Sequence, residues 1–86
     1  MDDKPIMTPT IHINGTSREA LLAGVVNAVD ALHAAEIALA GAYPNGRDYY
    51  PQGPGAIGEA TAQHVARQQA INRVRAELAE IAEAIA

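Results

Sequence analysis

A connector of thirteen residues, 43–55, interrupts a chain of 86 residues that otherwise favours helix. This connector contains three prolines, three glycines and all three tyrosines of the sequence. Proline and glycine disfavour the interior of a helix, whereas the segments rich in alanine and leucine on either side favour one. The sequence therefore predicts a mainly α-helical protein in which two helices fold back on each other as an antiparallel hairpin.

The first helix is predicted over residues 16–42. Thr16 and Glu19 have the spacing of a capping box, so the helix should start there. Gly41 and Pro44 should end it. Its apolar side chains form an arc on a helical wheel that is wide enough to pack against two neighbours. The arc comprises Leu22, Val25, Val26, Val29, Leu32 and Ile37, with Leu21 and Leu39 at its edge.

The second helix is predicted over residues 56–86, with an apolar seam whose members are three and four residues apart. Continued towards the connector, the seam meets His64 and Arg67 in place of apolar side chains. In an antiparallel hairpin this polar end faces the last turns of the first helix, which carry His33 and Glu36. We therefore expect these four side chains to lie close together beneath the connector. The apolar seam consists of Ile71, Val74, Leu78, Ile81 and Ile85.

The N-terminal segment has a different character from the two helices. Residues 1–9 carry two prolines and several charges, and they are predicted to form a flexible arm. Residues 10–15 alternate in polarity and end in Asn14 and Gly15, which favours a short β-strand followed by a turn. A lone strand would need a partner strand from elsewhere. Residues 1–86 together are predicted to form a single domain.

The composition predicts a thin core. A compact domain of this size buries only about 60% of the surface that its unfolded chain exposes, and this chain has neither Phe nor Trp. Two helices packed only on each other would leave much Leu, Val and Ile surface in contact with water. We therefore expect the hairpins to assemble into a homo-oligomeric helical bundle.

The N-terminal residues and the lack of cysteine bear on the compartment. The chain contains no Cys, which excludes a disulfide framework and thiolate chemistry. Lys4 follows Met1 closely, and no apolar run of the length of a signal peptide or a membrane span stands behind it. The expectation is a cytoplasmic protein that has no membrane partner.

The charges argue against one class of partner and favour another. The formal net charge is -4, whereas proteins that bind long nucleic acids without sequence preference need a dense field of Lys and Arg. Between residues 43 and 75, however, four arginines face only Asp48 and Glu59. Arginine presents a planar fork that suits phosphate or carboxylate. A small anionic ligand therefore fits this sequence better than a long polyanion.

The connector is longer than a plain link between two helices, which takes two to eight residues. Its tyrosines offer ring faces for stacking on a base, its glycines allow close approach of the backbone to a ligand, and Arg47 offers a fork for phosphate. These are the parts of a nucleotide pocket. A structural interpretation carries about equal weight: the tyrosines cover the open end of the hairpin, and Arg47 pairs with Asp48 or caps the first helix.

Arg67 is the second informative residue, because its predicted place in the apolar seam would bury a guanidinium group. Such burial costs several kcal/mol unless a partner satisfies the charge. If Glu36 lies opposite Arg67, the pair is structural. If it does not, an incoming phosphate is the natural counter-charge.

Catalytic and metal chemistry find little support in the sequence. His12, His33 and His64 lack the spacing that places two imidazoles on one metal ion. Ser17 is the only serine, which leaves no catalytic triad, and the connector lacks the phosphate-loop pattern of nucleotide hydrolases. We therefore expect a protein that is not an enzyme and that carries neither a metal nor a cofactor.

Three segments together resemble small phage proteins of the Thoeris anti-defence family, whose helical hairpin is shared with the phage anti-CBASS sponges. They are residues 11–17 (Ile-His-Ile-Asn-Gly-Thr-Ser), residues 45–53 (Asn-Gly-Arg-Asp-Tyr-Tyr-Pro-Gln-Gly) and residues 63–67 (Gln-His-Val-Ala-Arg). The likeness extends from about residue 10 to the end of the chain. The chain has only a stub of the N-terminal sheet of longer members.

The resemblance implies a sponge in the cytoplasm of an infected bacterium that sequesters cyclic ADP-ribose isomers or cyclic oligonucleotides of anti-phage defence without cleaving them. It also implies assembly into dimers or hexamers with pockets between subunits. The alternative is a small phage structural or regulatory hairpin that binds a protein partner and no nucleotide. Carried over onto this chain, the family's ligand contacts are Asn45, Arg47, Asp48, Tyr49, Gln52, His64 and Arg67.

Overall fold

The structure, a computed structural model, describes residues 5–86 and consists of two long helices joined by the connector. Helix α1 spans Arg18–Gly41 and helix α2 spans Ala56–Ile85. Between them lie two 3-10 turns, Gly46–Asp48 and Tyr50–Gln52. Arg18 at the start of α1 donates to the carbonyl of Ile85 at the end of α2 at 2.8 Å, so the helices are antiparallel. The predicted helical hairpin is confirmed.

The N-terminus of α1 is capped by Ser17. Its backbone is extended, and its Oγ accepts a hydrogen bond from the amide of Ala20 at 3.1 Å. The expected capping box of Thr16 and Glu19 is wrong by one residue. Because the helix begins at Arg18, the residue three positions after the cap is Ala20, which has no carboxylate to complete the box.

The two helices meet along a seam in which the contacting positions alternate in spacings of three and four, as in a coiled coil. Of the expected seam, Ile71, Leu78, Ile81 and Ile85 are buried or half-buried, whereas Val74 is exposed, and so is Arg67 in its continuation towards the connector. Ile71, Leu78 and Ile85 do face α1, and the heptad that they share continues through His64. Leu21, Val65, Ile81 and several alanines are half-buried beside the seam. The shielded positions at the seam's spacing are Leu22, Val25, Val29, Leu32, Glu36 and Leu39 of α1, and Ile57, Thr61, His64, Gln68, Ile71, Arg75, Leu78, Ala82 and Ile85 of α2.

The hairpin is elongated and has almost no closed core. Its radius of gyration is 18.2 Å, whereas a compact chain of this length would have one of about 12 Å. Within residues 5–86, only Ile85 and His64 are buried, with 1% and 4% of their surfaces exposed. Ile37 on α1 remains 64% exposed. Assembly of several hairpins stays a prediction, and the thin core is the reason to expect it.

Helix α1 is long and apolar enough to cross a membrane by length and composition alone, with a mean hydropathy of 1.4 in its most apolar window. None of that window is buried within the hairpin. The expectation that no apolar run of this length follows Lys4 is therefore wrong. A signal sequence and the core helix of a soluble protein meet the same criteria, so the location of the protein in the cell stays a prediction.

The segment before α1 contains a turn and no strand within residues 5–17. The amide of Gly15 donates to the carbonyl of His12 at 3.1 Å, which closes the turn expected at Asn14 and Gly15. The strand predicted over residues 10–15 is absent from the part of the chain that the structure describes, because no second strand lies beside it to pair with its backbone. Of the predicted arm, residues 1–4 lie outside the described residues, and residues 5–9 have no regular structure.

Candidate functional site

The connector folds into two consecutive 3-10 turns. Asn45 starts the first one, because its side-chain Oδ1 accepts a hydrogen bond from the amide of Arg47 at 3.0 Å. The side chains of Arg47 and Asp48 are exposed, and neither forms an ion pair with another described residue. The structural interpretation in which Arg47 pairs with Asp48 is therefore not what the structure contains.

The second turn directs the chain into α2. The amide of Gln52 donates to the carbonyl of Tyr49 at 2.9 Å, and that of Gly53 donates to Tyr50 at 3.1 Å. Gly53 has a φ angle of 116°, which side chains rarely tolerate, and it is the point at which the connector reverses. Tyr49 is half-buried, whereas Tyr50 points outwards and is 74% exposed.

A groove of about 450 Å³ lies between the connector and the first two turns of α2. Of the predicted ligand contacts, Tyr49 and Gln52 line it. Its walls offer one aromatic ring, two side-chain amides, one carboxylate and several small residues. The lining consists of Tyr49, Gln52, Gly53, Pro54, Gly55, Ala56, Glu59, Ala60 and Gln63.

Arg67 lies one helical turn beyond the groove. It follows Gln63 by four residues on the α2 face that also carries Ala56 and Ala60, since these positions are spaced by four, three and four. The side chain is exposed and forms neither an ion pair nor a side-chain hydrogen bond with another residue in 5–86. The expected burial of Arg67 in the seam is wrong, and so is its pairing with Glu36.

Glu36 has other partners. Its Oε2 accepts a hydrogen bond from Asn72 Nδ2 at 3.1 Å, and its Oε1 accepts one from Arg75 Nε. The hydrogen bond from Asn72 lowers the pKa of Glu36, and the hydrogen bond and charge of Arg75 lower it further, against the opposing effect of desolvation. His33 Nδ1 stands 3.9 Å from the same carboxylate. The structural ion pair therefore joins Glu36 to Arg75.

Sequence reasoning missed Arg75, although its position carried a signal. It follows Ile71 by four residues and precedes Leu78 by three, which is the phase of the seam itself. Arg67, however, lies seven residues before Val74, which the predicted seam also contains. The apolar spacing alone therefore does not distinguish Arg75 from Arg67, and only the packing of α2 on α1 does.

His64 occupies the end of the seam beneath the connector. Its Nε2 lies 2.8 Å from the carbonyl of Leu39, to which it donates, and the ring of Tyr43 contacts its edge with a centroid separation of 5.3 Å. Leu39 belongs to the last turn of α1, and its carbonyl also accepts a hydrogen bond from the amide of Ala42 at 3.0 Å. The four side chains that were expected to lie together are therefore separated. His64 contacts Leu39 and Tyr43, His33 lies beside Glu36, and Arg67 is exposed to solvent.

The predicted contacts Asn45, Arg47 and Asp48 stand on the connector outside the residues that line the groove. Their role in binding stays a prediction, as does that of His64, whose known contact is with α1. Among residues 5–86 there is no group of three or more His, Asp or Glu side chains that could hold a metal ion.

Comparison of the chain with protein-family models, with curated proteins and with solved structures finds no match.

Proposed function

We propose that this chain is a non-enzymatic phage sponge that binds and sequesters a cyclic nucleotide signal of bacterial anti-phage defence, a cyclic ADP-ribose isomer above all. The observation that carries the proposal is the groove beside the connector, with the exposed cation of Arg67 one turn away on the same face of α2. An aromatic ring, amides and a guanidinium are the groups that recognise a base, a sugar edge and a phosphate.

The proposed binding mode assigns each group a part of the ligand. Tyr49 stacks on the adenine ring, and the amides of Gln52 and Asn45 hydrogen-bond to a base or ribose edge. Arg47 and Arg67 pair with the diphosphate, because neither is committed to a carboxylate among the described residues. The mechanism is stoichiometric capture with no covalent step, so one ligand is removed from the signalling pool for each occupied site.

A second copy of the chain completes the proposed site. The groove is open to solvent on one side, whereas small-molecule sites bury most of their ligand. Hairpins assembled into a dimer or a hexamer would cover the exposed apolar residues of α1 and would enclose a ligand between subunits.

The test is isothermal titration calorimetry with cyclic ADP-ribose isomers and with cyclic di- and trinucleotides. Arg67→Ala should weaken binding of the preferred ligand about tenfold or more, because a charge-assisted contact to phosphate is lost. Arg73→Ala is the matched control, since Arg73 is also exposed on α2 but lies off the groove face. No heat with any of these ligands, at protein concentrations well above micromolar, would overturn the proposal.

The second candidate is a hairpin that binds a protein partner. The observation in its favour is the unburied apolar face of α1, where Val26 and Ile37 are 40% and 64% exposed. In that case Arg67→Ala would change no nucleotide affinity, because none of the cyclic nucleotides would bind to the unmodified protein.

A further inference from the structure

Glu59 is a charged residue in the groove that the proposed function does not yet use. It is the only ionisable side chain among the nine described lining residues apart from the phenol of Tyr49. Its carboxylate is exposed and forms no ion pair or hydrogen bond with another side chain in residues 5–86. The groove also contains the N-terminus of α2, whose dipole attracts an anion, and the negative charge of Glu59 in the first turn opposes that attraction.

The neighbours of Glu59 are neutral and complementary to a nucleoside. Gln63 follows it by one helical turn, and Gln52 faces it from the connector. Side-chain amides both donate and accept, whereas an ionised carboxylate only accepts, so its ligand partner must bring donors. Two hydroxyl groups on adjacent carbons of a ribose satisfy one carboxylate. The ring of Tyr49 and the small apolar surfaces of Ala56 and Ala60 fit the flat base.

The cations stand outside this neutral region. Arg67 lies one turn past Gln63, and Arg47 lies on the first turn of the connector. Base and sugar contacts are therefore separated from phosphate contacts along the face of α2.

We infer that Glu59 is the specificity-determining residue of this groove: it accepts hydrogen bonds from the vicinal hydroxyls of a ribose and excludes phosphate from the groove. The inference rests on the proposed nucleotide-binding function and refines it. Gln52 and Gln63 hold the edge of the base, and the ligand phosphates lie towards Arg67.

The experiment measures binding of three probes to the full chain by nuclear magnetic resonance: adenosine, 2′,3′-dideoxyadenosine and inorganic pyrophosphate. Adenosine should shift the side-chain amide signals of Gln52 and Gln63. 2′,3′-Dideoxyadenosine, which lacks both hydroxyls, should bind about tenfold more weakly than adenosine. Glu59→Gln should weaken the binding of adenosine by a similar factor. The same substitution should strengthen the binding of pyrophosphate, because the repelling negative charge is removed. Glu77→Gln, which removes the same charge elsewhere on α2, should leave all three affinities unchanged.

Equal binding of adenosine and dideoxyadenosine, or an unchanged adenosine affinity in Glu59→Gln, would overturn the assignment. It would also fail if cyclic ADP-ribose isomers bound without shifting the signals of Gln52 and Gln63, in which case the sponge function would stand. Adenosine binding that depends on Glu59, without binding of any cyclic nucleotide, would support the groove assignment and contradict the sponge.

Discussion

At the scale of single residues, the contact of His64 with the end of α1 explains why a polar ring is buried in so thin a core. His64→Ala should lower the free energy of unfolding by about 2 kcal/mol, because both the hydrogen bond to Leu39 and the edge contact with Tyr43 are lost. Urea denaturation followed by circular dichroism measures this difference. Exposed Gln63→Ala is the control and should stay within about 0.5 kcal/mol of the unmodified protein.

The same variant separates two roles for His64. A His64→Ala protein that unfolds like the unmodified chain but no longer binds nucleotide would make His64 a ligand contact, as the resemblance implies. A less stable protein with normal affinity per folded molecule would make its role structural.

The lowered pKa of Glu36 makes the stability of the hairpin depend on pH in the acidic range. This pKa lies below its ordinary value of 4.5 in the folded protein, so the unfolded chain takes up the proton first as the pH falls. The stabilisation is fully present above that ordinary value and is lost as the pH falls through the lowered one. Urea midpoints measured between pH 7 and pH 3 should therefore converge for the unmodified protein and Glu36→Gln. A difference between them that persists at the acidic end would contradict this origin.

At the scale of elements, the two helices and the connector could be predicted from local sequence, whereas the side-chain contacts between the helices could not. Alanine-rich segments bounded by Ser17 and Gly41 identify α1, and the prolines and glycines of residues 43–55 mark the reversal. The predicted seam contains both Ile71 and Val74, and the rotation of α2 about its axis decides which of them α1 shields. The packing shields Ile71 and leaves Val74 exposed, which places Arg75 inside the seam and Arg67 outside.

The candidate site could likewise be predicted only in part from the sequence. Composition indicated the connector as the binding element, and Tyr49 and Gln52 do line a groove there. Gln63 belongs to one of the segments that carry the resemblance, whereas Glu59 was not among the predicted ligand contacts, because an isolated acidic residue in the first turn of a helix is usually solvated. Their place in the lining of the groove depends on how the second 3-10 turn packs against α2, which the local sequence does not determine.

The reversal of the connector depends on Gly53. Its φ of 116° lies in a region that a side chain strains, so Gly53→Ala should cost about 2 kcal/mol and should distort the groove. Gly58 is the matched control, because it lies within α2 and a Cβ added there meets nothing within 4 Å. Gly58→Ala should raise the stability by up to about 1 kcal/mol. Thermal denaturation compares the two, and an equal effect of both substitutions would argue against a strained reversal.

At the scale of the whole molecule, the elongated shape and the thin core predict self-association. Sedimentation equilibrium of the unmodified chain should give the mass of a dimer or a hexamer. Ile37→Asp should shift the protein towards the monomer, because it places a charge on the largest exposed apolar side chain of α1. Asn27→Asp adds the same charge at an exposed polar position of α1 and should leave the mass unchanged. A monomer at every concentration would contradict the expected assembly.

The central claim is capture of a cyclic nucleotide without chemical change. The most direct measurement incubates the protein with cyclic ADP-ribose isomers, removes free ligand, denatures the complex by heat and identifies what is released by mass spectrometry. We predict that one isomer is retained in a fixed ratio to protein and returns unaltered. Release of a cleaved or linear product would contradict a sponge in favour of an enzyme, and retention of no isomer at all would contradict nucleotide capture itself.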